Sequence, residues 1–287
     1  MKAIYKRELK SYLTSMIGYV VIFFILFLEG IYFTAYNMQG AYPVFGSTLS
    51  AIAFIFLILI PILTMKSIAE ERKQKTDQLL LTAPVSVGQI VAGKYLALIT
   101  VYMIPMAMIS LYPLIMMKYG TVSVPMTYTA ILGFVLLGFA QIAMGVFFSS
   151  ITENSVIAAV MTFIALFLCY MMEGIETLLP MTAMTSFVIY IILVMGLAVI
   201  VYHMIKNIWI AAIIGILGEV GLIVTYIVKS SVFEGSVQRV LEIFNIVSHF
   251  DNFTGGIFDL QGVVYYLSVI VVFLFLSVQT ITKRRWN

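Results

Sequence analysis

Cysteine and histidine are scarce in this sequence. Its 287 residues include one cysteine, Cys169, and two histidines, His203 and His249. A single cysteine excludes a disulfide framework and any cysteine-based metal site within the chain. The histidines are far apart, and only Asp251 stands near one of them at ligand spacing, so no metal centre is expected.

Charged residues are also scarce, at 10% of the chain, whereas 62% of the residues are hydrophobic. An ordinary soluble domain has about 25% charged and roughly 45 to 50% apolar residues, so this excess cannot all be buried in one soluble core. The net charge of +3 comes from basic residues scattered through short loops, which is not a pattern for binding nucleic acid. The composition predicts an all-α polytopic membrane protein, formed by residues 1–287 as a single transmembrane domain.

Eight apolar runs predict about eight transmembrane helices, because each run can cross the ~30 Å hydrocarbon layer as a helix. The first run follows basic residues, as a secretory signal does, but no small-x-small cleavage site follows, so an uncleaved span is expected. The connection at Lys206 and Asn207 is very short, and merging the runs beside it would leave six or seven spans. The runs are 16–36, 46–65, 95–117, 127–148, 155–172, 183–204, 208–228 and 262–281.

The 16 Lys and Arg residues divide unevenly between the two sides of such a topology. With the N-terminus in the cytoplasm, only Lys118, Lys229 and Arg239 fall outside, which leaves 13 inside. Short cytoplasmic loops of membrane proteins carry an excess of Lys and Arg, so both termini are predicted to be cytoplasmic. The inner residues are Lys2, Lys6, Arg7, Lys10, Lys66, Arg72, Lys73, Lys75, Lys94, Lys206, Lys283, Arg284 and Arg285.

Two segments outside the apolar runs have an amphipathic pattern. Residues 1–13 predict a helix that lies in the membrane interface, and a disordered basic leader is the alternative. Residues 229–261 form the long extracytoplasmic segment, in which a second amphipathic helix is expected before a break at Gly255 and Gly256. Asp259 is then placed to cap the last span. The apolar face of the first helix is expected to contain Ile4, Tyr5, Leu9, Tyr12 and Leu13.

Residues 66–94 form the longest predicted cytoplasmic element, and they are much more polar than the runs on either side. Ser67 and Glu70 have the spacing of a capping box, which predicts a helix that begins where the second span ends. Pro84 forces the residue before it out of helical geometry. The element is therefore predicted to be a helical hairpin. The ion pairs expected along its first helix are Glu70 with Lys73 and Glu71 with Lys75.

The second half of this hairpin contains GQIVAGKY, residues 88–95, which fits the phosphate-binding pattern G-x-x-x-x-G-K. The motif has Tyr95 where a Ser or Thr must bind Mg²⁺, and no buried strand precedes it. Instead, Gly93 is expected to allow close helix packing, with Lys94 snorkelling to the inner interface. No ATP site and no cofactor are therefore expected in this chain. A docking surface for a cytoplasmic partner and a merely solvated loop both remain open for the hairpin.

The order of residues in the hairpin favours the first of these. It contains Glu71-Arg72, Thr76, Leu79-Leu80, Thr82-Ala83-Pro84-Val85-Ser86, Ile90-Val91 and Gly93-Lys94-Tyr95-Leu96. This pattern resembles that of ATP-binding-cassette permeases of type 2 (ABC-2), in the branch with the gliding-motility and nitrous-oxide-reductase maturation permeases. The basic N-terminal helix and the segments HFDNFTGGIFDLQGVVYYLSV and LSVQTITKRRW are similar to that branch too.

The resemblance implies the membrane-spanning permease subunit of an exporter in the cytoplasmic membrane. Such a subunit works by alternating access with a second permease copy or paralogue, and ATP and Mg²⁺ are held by two cytoplasmic ATPase subunits. The loop after span 2, here about Ser67 to Thr82, would be a coupling helix that sits in a groove of the ATPase. Simpler members of the branch have six spans, so residues 183–228 are expected to add an extra pair. The implied coupling residues are Glu70, Glu71, Arg72, Lys75, Thr76, Asp77, Leu79, Leu80 and Pro84.

Two ionisable residues interrupt the apolar runs, Glu29 in the first span and Glu219 in the seventh. Such residues usually face a cavity or a partner, so both are candidates for a translocation path. Snorkelling toward the outer surface is the favoured interpretation for Glu29, while the alternatives for Glu219 stay open. A proton-coupled secondary transporter that uses both residues, and a non-transporting membrane scaffold, are the alternative functions.

Overall fold

The structure is a computed structural model that describes residues 1–76 and 85–286. Helices are the only regular elements in these two ranges, as the fold prediction requires. A π-helix, Phe33–Gln39, extends α2, and a 3₁₀ turn, Ser230–Val232, precedes α12. The α-helices are α1 Lys2–Thr14, α2 Met16–Tyr32, α3 Phe45–Ala53, α4 Phe56–Thr64, α5 Ala69–Lys73, α6 Val87–Ile109, α7 Tyr112–Tyr119, α8 Val124–Ile151, α9 Ser155–Leu178, α10 Ala183–Ile205, α11 Ile208–Val228, α12 Ser236–Phe244, α13 Ser248–Thr254 and α14 Leu260–Trp286.

Seven of the described helices or helix pairs are long and apolar enough to cross a membrane, and α3 with the segment that begins at α4 forms an eighth, bent candidate. The expectation of about eight spans is confirmed. The second span differs from the expected straight helix because its two parts meet at an angle of 61°. Tighter bonds replace the α-helical ladder at this bend: Ile55 donates to the Ile52 carbonyl and Leu57 to the Phe54 carbonyl. Such three-residue steps turn the backbone more sharply than an α-helix does.

The chain divides into two compact units, residues 1–168 with 246–287, and residues 169–245. The expectation of a single transmembrane domain stays a prediction.

The first unit is built around α8, which is the most buried of the candidate spans. Helices α3, α4, α6, α13 and α14 pack against it. Gly138 allows one of these approaches, because a Cβ atom there would collide with the Tyr102 ring on α6. The Tyr102 hydroxyl then donates to the Phe134 carbonyl at 2.9 Å, so a buried polar group is satisfied inside the apolar core.

Helix α1 packs against α6 and α2, which the sequence did not predict. Its buried residues are Ile4, Glu8 and Tyr12, one helical turn apart, and Ile4 lies against Gly93 of α6. The expected helix is confirmed, as is the close packing at Gly93. The predicted face is partly right: Ile4 and Tyr12 are buried, but Glu8 is buried between them, and the location of the helix in the membrane interface stays a prediction.

The second unit contains the hairpin of α10 and α11. Lys206 adopts a left-handed conformation and Asn207 caps α11 by accepting from the Trp209 amide at 3.0 Å. A left-handed residue followed by a cap ends one helix and starts the next, so the short connection does separate two spans. Gln238 of α12 donates to the Leu179 carbonyl at 3.1 Å and ties the second amphipathic helix to this unit.

The end of the segment that was predicted to be extracytoplasmic lies in the first unit, and its helix break and cap follow the predicted pattern. Helix α13 ends at Thr254 with Gly255 as its C-cap, and Gly256 has a φ of +80°, a backbone conformation that favours glycine. Asp259 caps α14, because its Oδ1 accepts from the Gln261 amide at 2.8 Å. A bond from Asn252 at 2.8 Å to the other carboxylate oxygen lowers the pKa of Asp259.

Candidate functional site

A buried lysine joins three elements at one end of the first unit. The Lys94 side chain on α6 is only 2% exposed, and its Nζ lies 2.9 Å from Glu71 Oε2 of α5 and 3.2 Å from Glu8 Oε1 of α1. Nζ also donates to the Ser67 carbonyl at 2.6 Å. Snorkelling of Lys94 is therefore wrong, because two carboxylates and a carbonyl compensate its charge inside the protein.

Arg7 of α1 completes this group, which we call the ionic cluster: Arg7, Glu8, Glu71 and Lys94. Its Nη2 donates to Glu8 Oε1 at 2.7 Å and also to Glu71. Burial alone would lower the pKa of Arg7, but the hydrogen bonds and charges of Glu8 and Glu71 outweigh it and raise the pKa. Two cations meet two carboxylates, so the cluster is electrically neutral.

The Tyr12 hydroxyl is buried next to the ionic cluster, one turn after Glu8 on α1. Burial raises the pKa of Tyr12 well above its ordinary value, and the neighbouring negative charge of Glu8 raises it further.

The start of α5 is held by the end of α8. The hydroxyl oxygen of Ser149 accepts from the Ile68 and Ala69 amides, each at 3.1 Å, and donates to the Met65 carbonyl at 3.2 Å. The first amides of a helix have no partner within the helix, so Ser149 acts as their cap from another span. The predicted capping box at Ser67 is wrong, since the described residues offer the Ser67 hydroxyl no hydrogen-bond partner.

The predicted ion pairs within this segment are also wrong. Glu70 pairs with Lys66 at 3.3 Å, and Glu71 is taken by the ionic cluster. Lys75 has a φ of +59°, so the helix has already ended and the i, i+4 geometry is lost before Lys75. The physical reason is that Lys94 on α6 and Arg7 on α1 are positioned to bind the Glu71 carboxylate, whereas Lys75 is not.

The predicted coupling residues fall into two groups. Glu71 and Arg72 point toward the membrane helices, and Arg72 donates to the Ser150 carbonyl. Glu70 is about one-third exposed, and Lys75 and Thr76 are exposed, as is Lys73, which was not in the predicted set. The other predicted residues, Asp77, Leu79, Leu80 and Pro84, lie outside the described residues.

The helix expected over Ser67 to Thr82, continuous with span 2, differs from the structure in its described part. Helix α4 ends at Thr64, the residues after it form turns, and α5 runs only from Ala69 to Lys73. Contacts with α1, α6 and α8 hold α5 in place. Helix α6 begins with a side-chain cap, since the Ser86 hydroxyl accepts from the Gln89 amide at 3.3 Å. Residues 88–95 form the first turns of α6.

These contacts bring the basic segments of the first unit to one face. Arg7 meets Glu71, Arg72 meets Ser150, and Arg284 at the end of α14 pairs with Glu153 at 2.9 Å. The basic residues of these segments therefore share one face, as the predicted division of Lys and Arg between the two sides of the membrane requires. That this face is cytoplasmic stays a prediction.

The two acidic residues within spans lie in different surroundings. Glu29 is completely buried in the first unit, so snorkelling to the surface is wrong. Glu219 is half-buried in the second unit and borders a groove of about 330 Å³ between α10 and α11. The other residues that line the groove are Ala198, Val199, Tyr202, Ile208, Ala211, Ala212, Gly215 and Ile216.

Glu8, Arg7 and Ser149 are site residues that were not predicted from the sequence. Glu8 gave a signal, because it is the only acidic residue of α1 and lies four residues from both Ile4 and Tyr12, on their helical face. Ser149 gave none, since a serine near the end of an apolar helix is unremarkable until its neighbours are known.

Comparison with known families identifies the chain. A family model described as "ABC-2 family transporter protein" matches residues 3–214, which are 212 of the 287 residues. A comparison with curated proteins found no match. The family match covers most of the chain, including the ionic cluster and α5. The chain therefore belongs to the ABC-2 family of transporter proteins and is a multi-pass permease of the cell membrane.

Proposed function

We propose that this chain is the membrane-spanning subunit of an ATP-driven exporter. In this proposal two cytoplasmic ATPase subunits bind ATP and Mg²⁺, a second permease copy or paralogue completes the pathway, and the substrate moves by alternating access. The observation that carries the proposal is the ionic cluster, which fixes the short charged helix α5 to α1 and α6.

This anchoring is what a mechanical coupling element needs. Closure of two ATPase subunits is a rigid-body motion, and a segment that yields under load would not pass the motion to the membrane helices. Glu71 and Arg72 tie α5 to three different helices, and Ser149 holds its first turn. A displacement of α5 therefore displaces α1, α6 and α8 as well.

The exposed side of this segment is the proposed docking surface. Lys73, Lys75 and Thr76 are exposed, and Glu70 is about one-third exposed. We assign ATPase contact to these residues and anchoring to Glu71 and Arg72. Asp77, Leu79, Leu80 and Pro84 remain proposed coupling residues on the basis of the sequence resemblance.

The finer features of the proposal rest on the sequence. The resemblance of residues 71–96 supports the branch with the gliding-motility and nitrous-oxide-reductase maturation permeases, and it supports export. The division of 13 inner and 3 outer basic residues supports cytoplasmic termini. The hairpin of α10 and α11 supports an extra pair of spans beyond a six-span core.

A pull-down with charge-reversal variants tests the proposal. We expect the tagged chain, purified from its native membrane in mild detergent, to retain an ATPase subunit. The double variant Lys73→Glu/Lys75→Glu should lose most of that ATPase, because both changes alter the exposed surface and leave the ionic cluster intact. Lys283→Glu, an exposed lysine near the end of α14, is the matched control and should retain the ATPase.

Two results would contradict the proposal. Recovery of no ATPase with the wild-type chain, across several gentle detergents, would favour a secondary transporter or a scaffold. Equal recovery with the double variant and the control would place the docking surface elsewhere.

A further inference from the structure

Glu29 is a buried acid that the proposed ATPase coupling does not use. Its residue exposure is 0%, and neither carboxylate oxygen has a hydrogen-bond partner among the described residues. It lies 13 residues from Met16 and 10 residues from Gln39, the two ends of the first candidate span. The acid therefore lies near the middle of the first span.

No cation faces Glu29 from the elements packed around α2. The sequences of α3 and α4 and the π-helix contain no charged residue, and the one charged residue of α6, Lys94, belongs to the ionic cluster. The charged residues of α1 lie beyond the start of α2. The titratable neighbour is Tyr112 of α7, whose hydroxyl lies 3.9 Å from the ideal Cβ position of Gly30. The cation of α7, Lys118, is exposed and lies six residues further along that helix. An ionised carboxylate without a cation or hydrogen-bond donor is prohibitively costly in apolar surroundings, whereas a protonated carboxyl is not.

A line of buried side chains connects Glu29 to a cavity at the end of this span opposite to α1. Phe33 and Asn37 follow Glu29 at four-residue steps, and both are buried. Asn37 borders the cavity, which has a volume of about 620 Å³ and includes Tyr42 and Tyr119 in its wall. Phe33 therefore separates Glu29 from Asn37 and the cavity.

The backbone changes its form along this same line. The π-helix begins at Phe33 and ends at Gln39, directly after the turn that carries Glu29. π-helical segments are rare in proteins. Those that occur are often found at functional sites, because a π-helix alters the register of side chains within one span. The Phe33 ring packs against Tyr112, with ring centroids 4.5 Å apart, so the two rings close the route between Glu29 and the cavity.

We propose that Glu29 is a proton-binding site, a neutral carboxylic acid that exchanges its proton with the cavity beside Asn37 past the Phe33 and Tyr112 rings. The proposed ligand is a proton, because both side-chain oxygens are enclosed and no second described oxygen atom is hydrogen-bonded to them. The inference does not depend on ATP-driven transport, so it survives if the ATPase pull-down fails.

Infrared spectroscopy of the purified full-length protein in lipid nanodiscs tests the protonation state. The wild-type spectrum minus the Glu29→Gln spectrum at pH 7 should show the C=O absorption of a protonated carboxyl group, which shifts in D₂O. Glu153→Gln, which removes an exposed acid paired with Arg284, is the control and should leave that absorption unchanged. Loss of an ionised-carboxylate absorption on Glu29→Gln, in place of the protonated one, would overturn the proposal.

A second measurement avoids dependence on a folded Glu29 variant. Dicyclohexylcarbodiimide reacts with protonated carboxyl groups in apolar surroundings, and we expect mass spectrometry to locate its adduct at Glu29 in the wild-type protein, with a yield that falls as pH rises. The absence of that adduct at pH 6 would count against a neutral Glu29.

The route to the cavity has its own test. Phe33→Ala opens the barrier and should speed the D₂O-induced shift of the carboxyl absorption several-fold over wild type. Phe23→Ala, which removes an exposed ring of the same helix, should leave the rate unchanged. Equal rates for all three proteins would refute exchange past Phe33.

Discussion

The ionic cluster predicts a large cost for the single substitution Lys94→Met. Methionine keeps the apolar stem but removes the charge that lies 2.9 Å and 3.2 Å from two carboxylates, together with the bond to the Ser67 carbonyl. Removing one partner of a buried ion pair costs about 3 to 5 kcal/mol. Glu71 and Glu8 keep 18% and 11% of their side-chain exposure, and Arg7 still contacts both.

We therefore expect the lower end of that range, about 3 kcal/mol, which is roughly a 100-fold change in the unfolding equilibrium constant. Reversible unfolding in mixed micelles, followed by circular dichroism, measures this change. Lys10→Met, an exposed lysine of α1, is the matched control and should stay within about 0.5 kcal/mol of wild type.

The double variant Lys94→Met/Glu71→Gln separates charge balance from packing. It leaves Arg7 with Glu8, which is again neutral, so we expect it to regain about 1 to 2 kcal/mol relative to the sum of the single variants. Strict additivity of the two substitutions would show that Lys94 and Glu71 do not interact, and a cost for Lys94→Met equal to that of Lys10→Met would refute the reasoning.

Three further predictions address other parts of the fold. Ser149→Ala should lower the free energy of unfolding by about 1 to 3 kcal/mol, because it leaves buried amides without an acceptor. It should also speed hydrogen exchange at the start of α5. The control is Ser268→Ala, which removes an exposed hydroxyl and should have neither effect. Gly138→Val should lower the free energy of unfolding in mixed micelles by about 1 to 3 kcal/mol or more, because the larger side chain overpacks the core. Gly174→Val is the control and should leave the stability unchanged, since a Cβ atom at Gly174 meets no neighbour. The lowered pKa of Asp259 means that its cap stabilises the fold above the ordinary pKa and that this contribution disappears as pH falls through the folded-state value. Wild type should therefore be more stable than Asp259→Asn at pH 7 but not at the acidic end of a pH series, and a constant difference would contradict this account.

The spans were predictable because a transmembrane helix is defined by its local composition. The run expected over 208–228 has the same bounds in the structure. The predicted separation of two helices at Lys206 is confirmed, because Lys206 has a left-handed conformation and Asn207 caps the next helix. The bend of the second span was not predictable. No proline or glycine marks residues 54 and 55, so the bend has no local signature.

The candidate site was less predictable because a charged side chain selects its partner in three dimensions. Glu71 had Lys75 at ideal helical spacing, yet it pairs with Lys94, which is 23 residues later, and with Arg7, which is 64 residues earlier. The helix that would have supported the local pair ends at Lys73. Sequence spacing predicted where charge accumulates but not which charges meet.

The span between the members of the ionic cluster also sets an order of synthesis. Glu8 is made 86 residues before Lys94, which corresponds to about 4 to 17 s of translation at 5 to 20 residues per second. Lys94 is the last of the four residues to leave the ribosome, so the N-terminal helix cannot complete its docking before the third apolar run begins to emerge. Until then α1 lacks its packing partner α6, and the cluster can close only after the first two spans have been made.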